Sequence, residues 1–294
     1  MGIKSNVFIS LFFIPPININ SSAVTYTLNG GRLGDSFISY LHAKWVSYRY
    51  NIPLLYKPFE HSDQFALHHL ETVYTDRYAR KFRTIKHFKP GQKLSIHPEK
   101  NILYCIDYFP ESYYELHCMN NNFFYFTVDW QDPEFKILLK KHLAITDKKY
   151  FNTPIPAKTS PSELFVALHI RSPRNYHDTR NIWRFVPTKI PPLDFYRQAL
   201  FTIAHHYSNY TIKVFLFTDD LYPYQLCELL QEALTEKDIT HTAIMLVTND
   251  VRNPLYDICA MTQCDILVRP ESNLSFIATI VGNYQQVITA TSPS

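Results

Sequence analysis

From residue 164 to residue 290 the chain alternates short apolar runs with longer amphipathic ones, and few folds accommodate that rhythm. LFVALHI (164–170), IKVFLFTDD (212–220), TAIMLVTND (242–250), DILVRPES (265–272) and QQVITA (285–290) predict strands. Between them PLDFYRQALFTIAHHY (192–207), LYPYQLCELLQEAL (221–234), PLYDICAMTQC (254–264) and NLSFIATIVG (273–282) predict helices. Strands that are apolar on both faces and joined through helices form a parallel sheet covered on both sides. Such a sheet binds ligands in the crevice beyond the carboxyl ends of its strands. The polar residues of this half gather at those ends: His169 and Arg171, Asp219 and Asp220, Arg269, Glu271 and Ser272. Helices that start there offer free N–H groups and a positive dipole end, which suits a phosphate.

The first half opens in the same manner. AVTYTL (23–28) predicts a strand that runs into NGGRLGD (29–35), where three of the chain's six glycines fall within five positions. SFISYLHAKWVSYRYN (36–51) places Phe37, Leu41, Trp45 and Tyr48 at helical spacing and predicts an amphipathic helix. IPLLY (52–56) predicts a second strand, NILYCIDYF (101–109) another, and DPEFKILLKKHLA (132–144) a helix. A glycine turn ahead of a helix lets backbone approach a ligand closely and supplies positive φ without steric cost. Its spacing here is neither the dinucleotide fingerprint nor a P-loop, so an ordinary tight turn stays open as a reading. The His-rich HSDQFALHHLE (61–71) reads as a polar helix face, because adjacent His68 and His69 point in different directions. The proline-rich NTPIPAKTSPSE (152–163) divides the chain into expected domains over 24–155 and 156–294, preceded by a leader over 1–23.

Composition narrows the functions. At 46% hydrophobic and 19% charged residues over 294 positions, the chain has material for a substantial core. A net charge of +3 without a Lys/Arg stripe argues against nucleic acid as a partner. Cys105, Cys118, Cys227, Cys259 and Cys264 form no Cys-x-x-Cys pair or Cys/His ladder, so neither zinc nor a disulfide framework is expected. VFISLFFIPPI (7–17) is too short to span a bilayer and is broken by Pro15 and Pro16. With Lys4 before it and Ser21-Ser22-Ala23 after it, it resembles a marginal signal peptide. A cytoplasmic location is expected, with secretion as the alternative if 1–23 acts as a signal; no later stretch predicts a transmembrane helix.

Four motifs carry a family resemblance. GGRLGDSFISYLHAKW (30–45) resembles the Gly-Gly-Leu-Gly-Asn opening of α-1,2-fucosyltransferases. HIRSPRNY (169–176) resembles their His-x-Arg-Arg-x-Asp motif, shared more loosely with α-1,6- and protein O-fucosyltransferases. FTDD (217–220) is similar to a Thr-Asp-Asp strand end, and LYDICAMTQCDILVRPESNLSFIATIVG (255–282) resembles the family's closing pattern. The four follow in the family's order from about residue 24 to the end.

The resemblance implies an α/β fold of GT-B type: two Rossmann-like domains whose parallel sheets face a cleft, with the nucleotide sugar held mainly by the second. It implies transfer of fucose from GDP-fucose to a glycan hydroxyl, with inversion and without metal or other cofactor. The absence of an Asp-x-Asp motif is compatible with that.

Matched by position, Arg171 would be catalytic, its fork bound to the diphosphate as charge grows there. His169 would contact the nucleotide or position Arg171, a packed core histidine being the alternative. Asp219, Asp220 and Asp257 would bind guanine or ribose edges or orient Arg171, with helix capping as the rival for Asp220. Ser272 and Ser275 would hold phosphate oxygens, or simply cap a helix. Gly31 and Gly34 would give clearance to the sugar. The family's second arginine is Ser172 here, and Arg174, two places later, would swing into its space or leave the donor grip reduced. Asp35 is a candidate base, with Asp178 and Glu271 as others. Two rival functions stand beside this one: a non-catalytic nucleotide-sugar or glycan-binding module on a decayed transferase scaffold, and a different α/β transferase with another donor.

Overall fold

The computed structural model describes residues 21–88, 94–108, 128–172, 187–248 and 253–290. β1 (Ala23–Tyr26) leads through the glycine bend into α1 (Leu33–Tyr50). β2 (Leu55–Tyr56) pairs in parallel with β3 (Thr72–Val73), and a parallel bridge from Val24 to Leu54 lays this segment alongside β1. β4 (Thr84–Phe88) and β5 (Ile102–Ile106) complete a parallel sheet in the order β1-β5-β4, and α2 (Pro133–His142) follows.

The second half alternates throughout: β6 (Glu163–Ile170), α3 (Leu193–His206), β7 (Thr211–Thr218), α4 (Pro223–Thr235), β8 (Thr242–Leu246), α5 (Pro254–Met261), β9 (Ile266–Arg269), α6 (Asn273–Val281) and β10 (Gln286–Thr289). Its five strands are all parallel, in the order β10-β9-β6-β7-β8. From β6 the chain steps one way to β7 and β8, then crosses back to β9 and β10. The order therefore reverses between β6 and β9, and a crevice opens beyond their carboxyl ends. β6 is buried at all eight positions. Leu164, Val166 and Leu168 pack with Tyr196, Leu200, Ile203 and Leu230 on one face, while Phe165 and Ala167 pack with Met261 and Ala278 on the other.

Three features differ from the sequence reading. IPLLY contracts to a two-residue strand, and TIKHF, which the sequence did not mark, is a strand. Thr84 to His87 are exposed, so this edge strand lacks the apolar run that betrays the others. The helix expected to be amphipathic is instead enclosed: from Leu33 to Val46 every residue of α1 except Asp35 is buried. The sheet contributes Tyr26, Tyr104 and Ile106 to the surrounding core, and α5 and α6 contribute Leu255, Ile258 and Ile277 from the second half. Cys105, Cys259 and Cys264 are buried free thiols, while Cys118 lies outside the described residues. In the His-rich segment Phe65 and Leu67 face the core, and His69 is exposed beside a half-buried His68. Among the described residues no helix is long and apolar enough to cross a membrane.

Enclosing α1 also buries polar groups. Lys44 Nζ lies 2.6 Å from Glu71 Oε1, which accepts from Tyr40 Oη at 2.9 Å and lies 3.0 Å from His142 Nδ1. Burial opposes the Glu71 charge, but His142 and Lys44 outweigh it and hold the carboxyl below its ordinary value. Burial also holds the His142 imidazole below its ordinary value, against the pull of Glu71. Both shifts have one sign: the unfolded chain binds more protons, so stability is full above about pH 6.5 and falls as pH drops through the folded-state values. Urea unfolding should show a falling midpoint from pH 7 towards pH 4. Glu71→Gln, which strands Lys44, should cost about 3–5 kcal/mol at pH 7. A midpoint indifferent to pH would contradict this.

Candidate functional site at the strand-order reversal

The segment leaving β6 is fixed by one carboxylate. Asp219, just beyond β7, accepts from the Ser172 backbone N–H at 2.8 Å and pairs with Arg171 Nε at 3.0 Å. From there Arg171 Nη1 reaches Ser272 Oγ at 3.3 Å, so the guanidinium spans from β7 to the start of α6. Ser272 is the N-cap residue of α6, yet its side chain makes no capping bond. The helical ladder begins with Phe276 N donating to Ser272 O at 2.9 Å, so the preceding N–H groups of the first turn have no intrahelical acceptor. Those donors and the positive dipole end lie beside the Arg171 guanidinium.

Further cations converge on this point. Arg269 is buried at the end of β9, its guanidinium 5.5 Å from the Phe276 ring centre. Lys189, which sequence reasoning missed, is brought in from the segment before α3 because Glu271 N donates to Thr188 O at 2.9 Å and Thr188 Oγ1 donates to Glu271. Burial lowers the Lys189 ammonium from its ordinary value; Arg171 and Arg32 act in the same direction, and Asp35 and Glu271 oppose them. His169 is 5% exposed, and burial, followed by the charges of Arg171 and Arg269, pushes it down to about 3. It is therefore a neutral imidazole at physiological pH, and its Nδ1 has no hydrogen-bond partner among the described residues. A cavity of about 540 Å³ opens beside Arg171. Pro191, Pro192 and Leu193 wall it, with Tyr196 and Asp220 as polar lining, a size and character suited to a small organic ligand.

The glycine bend faces the same helix. Gly30 has φ +74°, which only glycine adopts easily. At Gly31 a Cβ would strike the Asp35 carboxylate, and at Gly34 it would lie 2.8 Å from Leu274 N and 2.9 Å from Asn273 Cβ. Gly34 thus gives clearance to α6 itself, where the sequence expectation was clearance for a sugar. Asp35 Oδ1 accepts from Asn273 Nδ2 at 2.7 Å and Tyr108 Oη at 3.0 Å, and Oδ2 from Arg32 N at 3.2 Å. With three donors on it, this carboxylate ties the bend to α6.

The remaining sequence candidates divide. Asp220 Oδ1 accepts from Tyr222 N at 2.8 Å ahead of α4, so the local turn holds it while its residue lines the cavity. Ser275 is fully buried and its hydroxyl bonds back to Ser272 O at 3.3 Å, serving the helix. Asp257 is half-buried in the first turn of α5. Arg174 and Asp178 lie outside the described residues.

No protein-family model matches the chain, and no curated protein matches it in sequence. Among solved structures it is similar to FUT1 of Arabidopsis thaliana, an arginine-to-lysine mutant in complex with GDP, at 10% identity, over 91% of this chain and 70% of that one, with a TM-score of 0.53. It is also similar to POFUT1 in complex with GDP-fucose, at 14% identity, over 92% of this chain and 99% of that one, with a TM-score of 0.47. Both are fucosyltransferases. The likeness to FUT1 is one of fold, a two-domain Rossmann-like α/β architecture of GT-B type, and it does not single out the α-1,2 group.

The close approach at Gly34 is open to a direct check. Gly34→Ala should destabilise the protein by about 1–3 kcal/mol, because backbone rather than a flexible side chain blocks the methyl. An unchanged Tm would show that α1 and α6 do not meet there.

Proposed function

We propose that this chain is a glycosyltransferase that moves fucose from GDP-fucose to a glycan hydroxyl, with inversion and without a metal ion at the transfer site. The observation that carries the reading is the Arg171 guanidinium, held by Asp219 against the start of α6 in the crevice where strand order reverses. The fold shared with FUT1, whose structure holds GDP, supports a nucleotide sugar as the ligand.

On this reading the diphosphate sits across Arg171 and the first-turn N–H groups of α6, with Lys189 supplying a second cation where Ser172 carries none. The nucleoside occupies the neighbouring cavity. As the bond from fucose to the diphosphate breaks, negative charge grows on the departing oxygen, and donors already in place stabilise that charge more than the ground state. The fork of Arg171 is suited to two phosphate oxygens at once. The Ser272 hydroxyl, which accepts from Arg171, is free to turn its own proton to an oxygen. His169 stays neutral behind the guanidinium and adds no charge to repel. The acceptor hydroxyl attacks from the side of the first half, its bond to fucose forming as the bond to the diphosphate breaks and its proton passing to solvent. Asp35 acts as a positioning residue for the bend rather than as the base, since it already accepts from Arg32, Tyr108 and Asn273.

A second reading, a nucleotide-sugar-binding module without turnover, is favoured by Ser172, which stands where the resembled motif has its second arginine: it is 2% exposed, and its backbone N–H donates to Asp219. Two measurements separate the readings. GDP should raise Tm well above the effect of UDP or ADP at concentrations far above the dissociation constant. Incubation with GDP-fucose and galactosides should release GDP and yield a fucosylated product. Arg171→Ala should lower the transfer rate by about 10²–10³-fold with the fold retained, and Arg171→Lys should recover little of it. GDP binding with no turnover favours the module, full activity in Arg171→Ala overturns the role given to Arg171, and no GDP binding at all overturns both readings.

A further inference from the structure

We propose that His87, Cys105 and Asp107 form a binding site for a zinc-class divalent cation at the carboxyl edge of the first sheet. The site stands apart from the strand-order reversal of the second half and does not depend on the transferase reading.

Strand geometry makes the site. In the parallel register of β4 and β5, His87 is paired with Cys105. Side chains two apart on a strand share a face, so Asp107, just past the end of β5, joins them on the same side of the sheet. His87 Nδ1 lies 3.3 Å from Asp107 Oδ1, and one ligand atom from each of the three residues lies within 4.8 Å of the others. Ligands of a tetrahedral zinc ion sit about 3.5 Å apart, given bonds of about 2.0–2.3 Å, so small rotamer changes close the set. The exposed His87 ring has the freedom to make them.

The donor chemistry selects the ion. Imidazole nitrogen, thiolate sulfur and carboxylate oxygen suit a borderline metal such as zinc, whereas calcium and magnesium favour oxygen throughout. Thr27 Oγ1 donates to Asp107 Oδ1 at 3.4 Å and so steadies the carboxylate from behind. Cys105 forms the floor, 3% exposed, while His87 and the half-buried Asp107 leave the approach open to solvent. Three protein ligands leave a fourth position for water or another small ligand, the arrangement of reactive rather than purely structural zinc. On binding, the Cys105 S–H bond breaks, its proton passes to solvent and a sulfur–metal bond forms, with no change of oxidation state. Lys57 faces the Cys105 sulfur with a positive charge, which a bound cation would feel as repulsion.

The spacing hid this group from sequence reading. His87 comes from the unpredicted strand β4, and Asp107 follows Cys105 by two, so no metal-ligand ladder is visible. Tyr108, the next residue, donates to Asp35 of the glycine bend.

The test uses the full chain, stripped with a chelator and titrated with Co²⁺ and then Zn²⁺. Co²⁺ should give a thiolate charge-transfer band in the near ultraviolet and visible bands of tetrahedral intensity, both displaced by Zn²⁺. Calorimetry should show one high-affinity Zn²⁺ per chain. His87→Ala, at an exposed position, should keep the fold and weaken Zn²⁺ by at least about 10-fold. Cys105→Ser should abolish the charge-transfer band, and Lys57→Met should tighten binding. If Cys105→Ser does not fold, His87→Ala and Asp107→Asn decide the question. No charge-transfer band in the native chain, or unchanged affinity in His87→Ala, overturns the site. GDP titrations of the same samples bear on the transferase reading alone.

Discussion

α1 and α6 meet backbone to backbone at Gly34, where a single Cβ would stand 2.8 Å from Leu274 N. One helix belongs to the first half of the chain and the other to the second, so this contact fixes how the halves sit. It places Asp35 within 2.7 Å of Asn273 and lets Ile277 enter the core around α1. Trp130 closes on Phe276 edge to face at 4.9 Å between ring centres. The same helix begins at Ser272, which the Arg171 guanidinium touches. A helix pinned at its first turn by one half and met there by a charged side chain of the other has its free N–H groups held in a defined place. One close approach sets the bend against the helix start, and the guanidinium that Asp219 holds meets them there.

The charges around that point are unequal in kind. Asp219 and Asp35 have donors that use most of their oxygens, whereas Lys189 is held below its ordinary value by burial and by neighbouring guanidinium groups. Burial, with the charges of Arg171 and Arg269, keeps His169 neutral. Crowding cations at the positive end of a helix raises the free energy of the empty site and lowers that of a site holding an anion. A diphosphate would relieve that strain in the same place where a departing diphosphate needs stabilising. The binding and catalytic parts of the proposed function therefore draw on one electrostatic arrangement.

The second half was largely legible before the structure. Its strands are enclosed on both faces, and LFVALHI and IKVFLFT are apolar almost without interruption; the helices between them show their own period. Parallel topology then put His169, Arg171, Asp219 and Ser272 at one edge, and the structure brings Arg171, Asp219 and Ser272 into contact. TIKHF escaped notice because an edge strand can be polar, and α1 was misread because helical spacing reports one buried face while tertiary packing supplies others. Lys189 gave no local signal. It lies in a short turn, and the clasp of Thr188 to Glu271, from far along the chain, is what carries it inward.

The sequence by itself determined that the chain builds parallel α/β sheets and that its chemistry collects at their carboxyl edges, since periodicity and strand direction are local properties. The tertiary structure decided what each residue there does: Gly34 admits a helix, Asp35 joins the two halves, Ser275 serves its own helix, and Lys189 joins Arg171. Asp35 and Asn273 stand 238 positions apart. A contact of that span has no period to read, because it exists only after both halves have folded and packed.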